Sequence, residues 1–246
     1  MNPIVLIPAR MAATRLPNKP LADIGGLPMI VRVLRQAQAA GIGPVAVAAG
    51  DPEIVAAVER AGGRAVATDP NLPSGSDRIL AALDILDPAG RHDVVINLQG
   101  DMPFVQPAVL AACADLLGAH LDCDIATVVA PEASVQDRSN PDVVKAVLAM
   151  EQNGFSGRAL YFTRSTLYGD APIWRHVGIY GYRPAALRAF NAAPPSPLEK
   201  REKLEQLRAM ELGLTIRAAV AGEAPISVDN PSDLEAARAY ATGNHA

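Results

Sequence analysis

Aromatic side chains are scarce in this chain, at 4% of 246 residues, and alanine fills much of the space they would normally occupy. There are two cysteines, Cys113 and Cys123, with no histidine pair beside them. That excludes a zinc site and a disulfide framework and leaves two small buried thiols in a reducing compartment. No lysine- or arginine-rich tract occurs and the net charge is −4, which argues against a nucleic-acid partner. No apolar run approaches the roughly 20 residues that span a bilayer, and the N-terminus has neither the basic flank nor the apolar core of a leader. A soluble, cytoplasmic protein without a membrane or nucleic-acid partner is expected. Two nucleotide-binding signatures are also missing: no Gly-x-Gly-x-x-Gly follows the first apolar run, and there is no Walker lysine motif.

Half of the residues are hydrophobic, ample for a packed core. Ile4–Ile7, Val45–Ala48, Arg64–Ala67 and Val94–Leu98 read as buried strands. Helical patterns lie between them, the clearest carrying Ile30, Val33, Leu34 and Ala37 on one face, with Pro28 in its first turn. This alternation predicts an α/β fold built on a mainly parallel sheet. After about residue 130 the rhythm changes. Val143–Leu148, Ala159–Thr163 and Gly178–Tyr182 read as strands of an antiparallel or mixed lobe, and Glu199–Leu212 and Pro231–Tyr240 read as helices. The last opens on Asn230-Pro231, a capping residue before a first-turn proline. One domain is expected, with a core over residues 1–130, a lobe over about 131–212 and a return to the core over 213–246.

Ligands of parallel sheets bind beyond the carboxyl ends of the strands. The loop after the first strand holds Arg10, Arg15 and Lys19, three cations suited to a polyphosphate, although from charge alone they also read as solvated surface groups. The fourth strand runs into Gln99-Gly100-Asp101-Met102, placing an acid at the same edge. Asp101 is a candidate Mg²⁺ ligand, or a turn residue if taken alone. Asp229, just before the last helix, is a second candidate ligand; by itself it reads as a helix cap.

Several ordered blocks resemble one family. They are Ala9-Arg10 through Thr14-Arg15-Leu16-Pro17 to Lys19-Pro20-Leu21, Ser74-Gly75-Ser76-Asp77-Arg78, Gln99-Gly100-Asp101, and Asn140-Pro141 with Val144-Lys145. Further blocks are Ala159–Arg164, Arg175–Arg183, Ser196–Glu199 with Leu204–Arg208, and Val228–Pro231. Their order and content resemble the 3-deoxy-manno-octulosonate (Kdo) cytidylyltransferases, also called CMP-Kdo synthetases, over nearly the whole chain.

The resemblance implies a Rossmann-like sheet of the nucleotide-diphospho-sugar transferase type, with a smaller lobe for sugar binding and dimerisation. It implies transfer of CMP from CTP to Kdo with release of pyrophosphate, dependence on Mg²⁺, a homodimer, and a place in lipopolysaccharide biosynthesis. By the same resemblance Arg10 and Lys19 hold the triphosphate with Arg15 as helper, Ser74 and Gly75 line the cytosine pocket, and Arg78 supports that loop. Asp101 and Asp229 hold the metal. Gln99 meets the sugar, as does His176 with Tyr180 close by, although a lone histidine also reads as structural. On chemical grounds the guanidinium fork of Arg164 suits the Kdo carboxylate, and Glu202 and Gln206, four apart on one helical face, suit sugar hydroxyls. Glu202 and Gln206 also read as an ordinary solvated face, and Trp174 and Tyr182 as packing residues. The chain departs from the family pattern at Met102, at Ala48-Ala49-Gly50-Asp51, which carries no catalytic assignment, and in a short stretch between Arg164 and His176. The alternatives are a cytidylyltransferase for 8-amino-Kdo or sialic acid, and a non-catalytic nucleotide-binding protein. The loop Met11-Ala12-Ala13-Thr14 does not resemble the Gly-Gly-Ser-Lys type of the sialic-acid enzymes.

Overall fold

A computed structural model describes residues 1–12, 16–132 and 134–243. In chain order the elements are β1 (Pro3–Ala9), one turn of 3-10 helix (Lys19–Leu21), β2 (Asp23–Ile24), β3 (Leu27–Pro28), α1 (Met29–Ala39), β4 (Val45–Ala49) and α2 (Pro52–Arg60). There follow β5 (Ala65–Ala67), α3 (Gly75–Leu86), β6 (Val94–Asn97), α4 (Pro107–Ala119), β7 (Ile125–Glu132), α5 (Val135–Ser139), β8 (Lys145–Met150) and β9 (Ser156–Thr163). The chain continues with β10 (Ile173–Tyr182), α6 (Pro184–Ala192), α7 (Pro197–Glu202), α8 (Gln206–Glu211), β11 (Ile216–Val220) and α9 (Pro231–Gly243). Among the described residues no helix is long and apolar enough to cross a membrane. The chain divides into two compact units: Asn2–Leu110 with Pro225–Ala246, and Met1 with Ala111–Ala224.

The first unit is built on four parallel strands in the order β5-β4-β1-β6. Every residue of β1 is buried, which is why its apolar run has no polar alternation. Pro8 is tolerated in a central strand because β6 stops short of it: the β1–β6 register ends at Leu6↔Asn97, and Pro8 has only Ala48 of β4 opposite. Helix α1 buries Ile30, Val33, Leu34 and Ala37, the predicted face. Beneath α9, Ile24, Met29, Val228, Leu234, Ala237 and Ala241 form a cluster that ties the C-terminal helix to the N-terminal hairpin.

In the second unit β7 pairs antiparallel with β10 and parallel with β11, β11 pairs antiparallel with β9, and β9 with β8. A short β8–β10 contact at Trp174↔Ala146 completes the circuit of pairings. This is the mixed sheet the sequence predicts, with β10 longer than the expected Gly178–Tyr182.

The single helix predicted over Glu199–Leu212 is two helices. Lys203 adopts a left-handed conformation (φ 56°) between α7 and α8. Non-glycine residues rarely turn this way, so the sequence carries no signal for the break. Its compensation is the pair Arg208–Glu199, which joins the two helices through contacts of 2.8 and 2.9 Å. Arg208 also donates to the carbonyls of Phe190 and Ala193 and lies 4.3 Å from the Phe190 ring centroid.

Candidate active site

In the first unit the loops after β1, β4 and β6 and the start of α3 share the carboxyl edge of the sheet. Gly100 lets two of them meet, since a Cβ there would lie 3.0 Å from the Pro8 carbonyl oxygen. At Gly75 the nearest neighbours of an added Cβ are Pro8 (3.3 Å) and the Gln99 amide oxygen (3.7 Å), which places Gln99 beside the helix start. Ser74 is the N-cap of α3: its hydroxyl accepts from the Asp77 amide at 3.1 Å and donates to the Asp77 carboxylate at 2.7 Å.

Lys19 stands at the centre of this edge. Its ammonium lies 2.9 Å from Asp101 Oδ2 and 3.3 Å from Asp229 Oδ1. Residues far apart in the sequence are thus gathered on one cation. The Val228 amide donates to the Asp101 carbonyl at 2.9 Å, which fastens the segment before α9 to the loop after β6. Burial pushes the Asp101 carboxyl above the ordinary range; Lys19 opposes that shift and Asp229 adds to it. Asp229 does not cap α9, contrary to its reading in isolation. Asn230 does so, accepting from the Asp233 amide at 3.0 Å, while Asp233 Oδ2 accepts from the Asp229 and Asn230 amides.

Two hard carboxylate oxygens on one cation are the donor set that Mg²⁺ uses when water and phosphate supply its other ligands. Among the described residues no group of three or more His, Cys, Asp or Glu side chains gathers as a self-sufficient metal cage. The residues therefore fit a metal that arrives with a phosphate ligand. Met102 is buried.

Arg78 is almost fully buried and donates to Thr68 Oγ1 (2.7 Å) and to the carbonyls of Asp69 (3.0 Å) and Pro70 (3.3 Å). Burial, followed by the charge of Arg10, lowers its pKa; Asp51 and Asp69 oppose the shift. Arg10 is exposed beside it. Arg15 lies outside the described residues.

Asp51 is a residue the sequence reading left without a role. It occupies the N-cap position of α2 without capping it, and its Oδ2 accepts from the Met11 amide at 2.7 Å. It thereby pins the loop one residue beyond Arg10. An acid at the carboxyl end of a second parallel strand was the available signal. A Cβ on the preceding Gly50 would lie 2.7 Å from Arg78 Nη1 and 3.3 Å from Arg10 Cβ. Since Arg78 is held by three acceptors, Gly50→Ala is expected to lower stability by about 1–3 kcal/mol. Urea denaturation checks this, and an unchanged midpoint contradicts it.

In the second unit, His176 and Tyr180 lie on β10 with ring centroids 5.4 Å apart, and Phe162 meets His176 edge-on at 5.2 Å. Burial pushes the His176 imidazole down to about 4 and raises the Tyr180 phenol. The unfolded chain takes up a proton at His176 near pH 6.5 and the folded chain only near 4. Stability should therefore fall as pH drops through that window. Replacing His176 with Gln should flatten this part of the profile of thermal midpoint against pH, and an unaltered slope contradicts the assignment.

Glu202 accepts from the Arg164 amide (3.2 Å), Thr163 Oγ1 (3.3 Å) and Tyr161 Oη (3.4 Å). Arg164 Nε donates to the Glu202 carbonyl at 3.1 Å and Nη1 to the Pro141 carbonyl at 2.8 Å. Lys145, fully buried, donates to the Asn140 and Arg164 carbonyls. Gln206 is buried on α8, across the Lys203 break from Glu202, so the two do not share one helical face as expected. Its side-chain nitrogen has no hydrogen-bond partner among the described residues, an orphaned donor of the kind a polar ligand satisfies. Tyr182 is buried within 6.4 Å of Phe190, a packing position.

A profile of the cytidylyltransferase family matches residues 4–216. A 3-deoxy-manno-octulosonate cytidylyltransferase of Rhodospirillum rubrum is 52% identical, the match covering 96% of this chain and 94% of that one. Its counterpart in Methylobacterium radiotolerans is 55% identical over 98% of both chains. This chain belongs to the 3-deoxy-manno-octulosonate cytidylyltransferase family. It is accordingly a nucleotidyltransferase. The structure of CMP:2-keto-3-deoxy-manno-octonic acid synthetase complexed with CTP superposes with a TM-score of 0.91 at 35% identity, covering 99% of this chain and 100% of that one. At 12% identity, 4-diphosphocytidyl-2C-methyl-D-erythritol synthase from Anaerococcus prevotii shares the fold, with a TM-score of 0.65 over 98% of both chains.

Proposed function

We propose that the chain transfers CMP from CTP to the anomeric hydroxyl of Kdo, giving CMP-Kdo and pyrophosphate. The observation that carries this reading is the Lys19 ammonium held between Asp101 and Asp229 at the carboxyl edge of a parallel sheet, in a member of this family. In the reaction the sugar hydroxyl attacks the α-phosphorus and gives up its proton to solvent, the bond to the bridging oxygen breaks, and pyrophosphate departs with the electron pair. No covalent enzyme intermediate is needed. Arg10 and Lys19 neutralise the triphosphate, where charge develops as the leaving group separates. Ser74 and Gly75 border the base, and buried Arg78 braces the loop between β5 and α3 through Thr68, Asp69 and Pro70.

Asp101 and Asp229 would hold Mg²⁺, which when bound offsets phosphate charge and makes an oxygen nucleophile more acidic. Within the second unit Arg164, His176, Tyr180, Glu202 and Gln206 are the residues assigned to the sugar acid; within the first unit Gln99 is assigned to it. The buried, unpartnered Gln206 nitrogen supports that assignment. The active form is a cytoplasmic homodimer supplying lipopolysaccharide synthesis.

Pyrophosphate release with CTP and Mg²⁺ tests the reading, with Kdo, 8-amino-Kdo and sialic acid offered in parallel. Release with Kdo is the expected result. Release only with another sugar acid would move the error to the sugar residues, and release with none would favour a non-catalytic nucleotide-binding protein.

A further inference from the structure

Thr127 of β7 is completely buried, and its hydroxyl makes two contacts: 2.8 Å to the Ile179 carbonyl oxygen and 3.0 Å to His176 Nε2. The first exists because β10 is bulged. Val177 pairs with Val128 but the next β7 residue, Thr127, pairs with Tyr180, so Gly178 and Ile179 are extra and the Ile179 carbonyl turns onto the threonine. A hydroxyl has one proton to donate, and a carbonyl oxygen can only accept. Thr127 therefore donates to Ile179, and its oxygen is left to accept from His176. Nε2 must carry the hydrogen. The imidazole is then the Nε2–H tautomer, and its lone pair is on Nδ1, which has no hydrogen-bond partner among the described residues. Phe162 and Tyr180 lie against the ring.

We infer that Thr127 is a positioning residue that holds His176 as a hydrogen-bond acceptor at Nδ1, so that the histidine selects a hydroxyl of the substrate and turns away a carboxylate. The inference rests on the sugar-binding role given to His176 above. An acceptor nitrogen attracts an O–H group and repels carboxylate oxygens, so recognition of the acid falls to other residues. A polyhydroxylated sugar is the ligand class this arrangement fits.

Long-range ¹H–¹⁵N NMR of the full-length protein at neutral pH reads the tautomer directly. His176 should show a protonated Nε2 and an acceptor-type Nδ1; a protonated Nδ1 overturns the inference. Kinetics supply the second arm. Thr127→Val, isosteric but lacking the hydroxyl, should raise KM for Kdo about fivefold, as expected for one misplaced hydrogen bond, while kcat and KM for CTP stay within about twofold. Thr127→Ser, which keeps the hydroxyl, should restore the wild-type KM. Equal effects of the two variants would show a packing role and overturn the inference. An unchanged KM for Kdo in His176→Ala would refute the sugar role of His176 and, with it, the part of Thr127 in recognition. The NMR arm needs no substrate, so failure of the tautomer is distinguishable from failure of the functional reading.

Discussion

Asp101→Asn is expected to lower kcat at least about 100-fold while leaving the fold intact. Outer-shell partners of metal ligands commonly contribute 10- to 100-fold, so a carboxylate in the ligand role proposed for Asp101 should contribute no less. Stability should not suffer. The fold already penalises the charged form of Asp101, since burial pushes its carboxyl upward, and an amide oxygen can still accept from Lys19. The variant should thus be at least as stable as the parent and nearly inactive, a stability–function trade at one side chain. Asp229→Asn should cripple turnover in the same way, Lys19 then keeping Asp101 as its counter-ion. Turnover at limiting Mg²⁺ together with a melting curve decides the matter; near-normal turnover in either variant removes that residue from the metal role.

The second large effect is on stability. Arg208→Met should cost about 3–5 kcal/mol, the usual consequence of removing one partner from a buried ion pair. Both Arg208 and Glu199 expose only 11% of their side chains, so Glu199 would be left charged with little access to water. The loss would be amplified because Arg208 also donates to the carbonyls of Phe190 and Ala193 and covers the Phe190 ring, joining α6, α7 and α8. Glu199 also completes the capping box with Ser196 at the start of α7. Urea unfolding measures the change, and a loss below about 1 kcal/mol would place the pair among ordinary surface bridges. Since Gln206 lies on α8, KM for Kdo should rise in the same variant at temperatures where it remains folded.

Strands β1, β4 and β6 were legible because they are buried almost throughout and read as apolar runs, whereas β5, with Ala67 exposed, and the two-residue strands β2 and β3 carry little such signal. Helix α1 was legible from its spacing and α9 from Asn230-Pro231. What escaped was set by contacts between distant residues. Nothing local announces that Lys203 turns left-handed, because the Arg208–Glu199 pair supports the break from outside the turn. Asp229 and Asn230 are both plausible caps on sequence grounds; which of them caps is decided by Lys19, which engages the Asp229 carboxylate. Asp51 carried no role until the Met11 amide was seen on its carboxylate, and Thr127 is one threonine in an apolar strand until the bulge in β10 brings it a carbonyl and an imidazole.

Transfer of a nucleotidyl group and hydrolysis of a terminal phosphate leave different phosphorus products. ³¹P NMR of the wild-type protein with CTP, Mg²⁺ and Kdo tests for transfer most directly. Attack at the α-phosphorus predicts a new phosphodiester resonance of CMP-Kdo and pyrophosphate in equal amounts. The appearance of CDP and inorganic phosphate, with no new phosphodiester resonance, would contradict it.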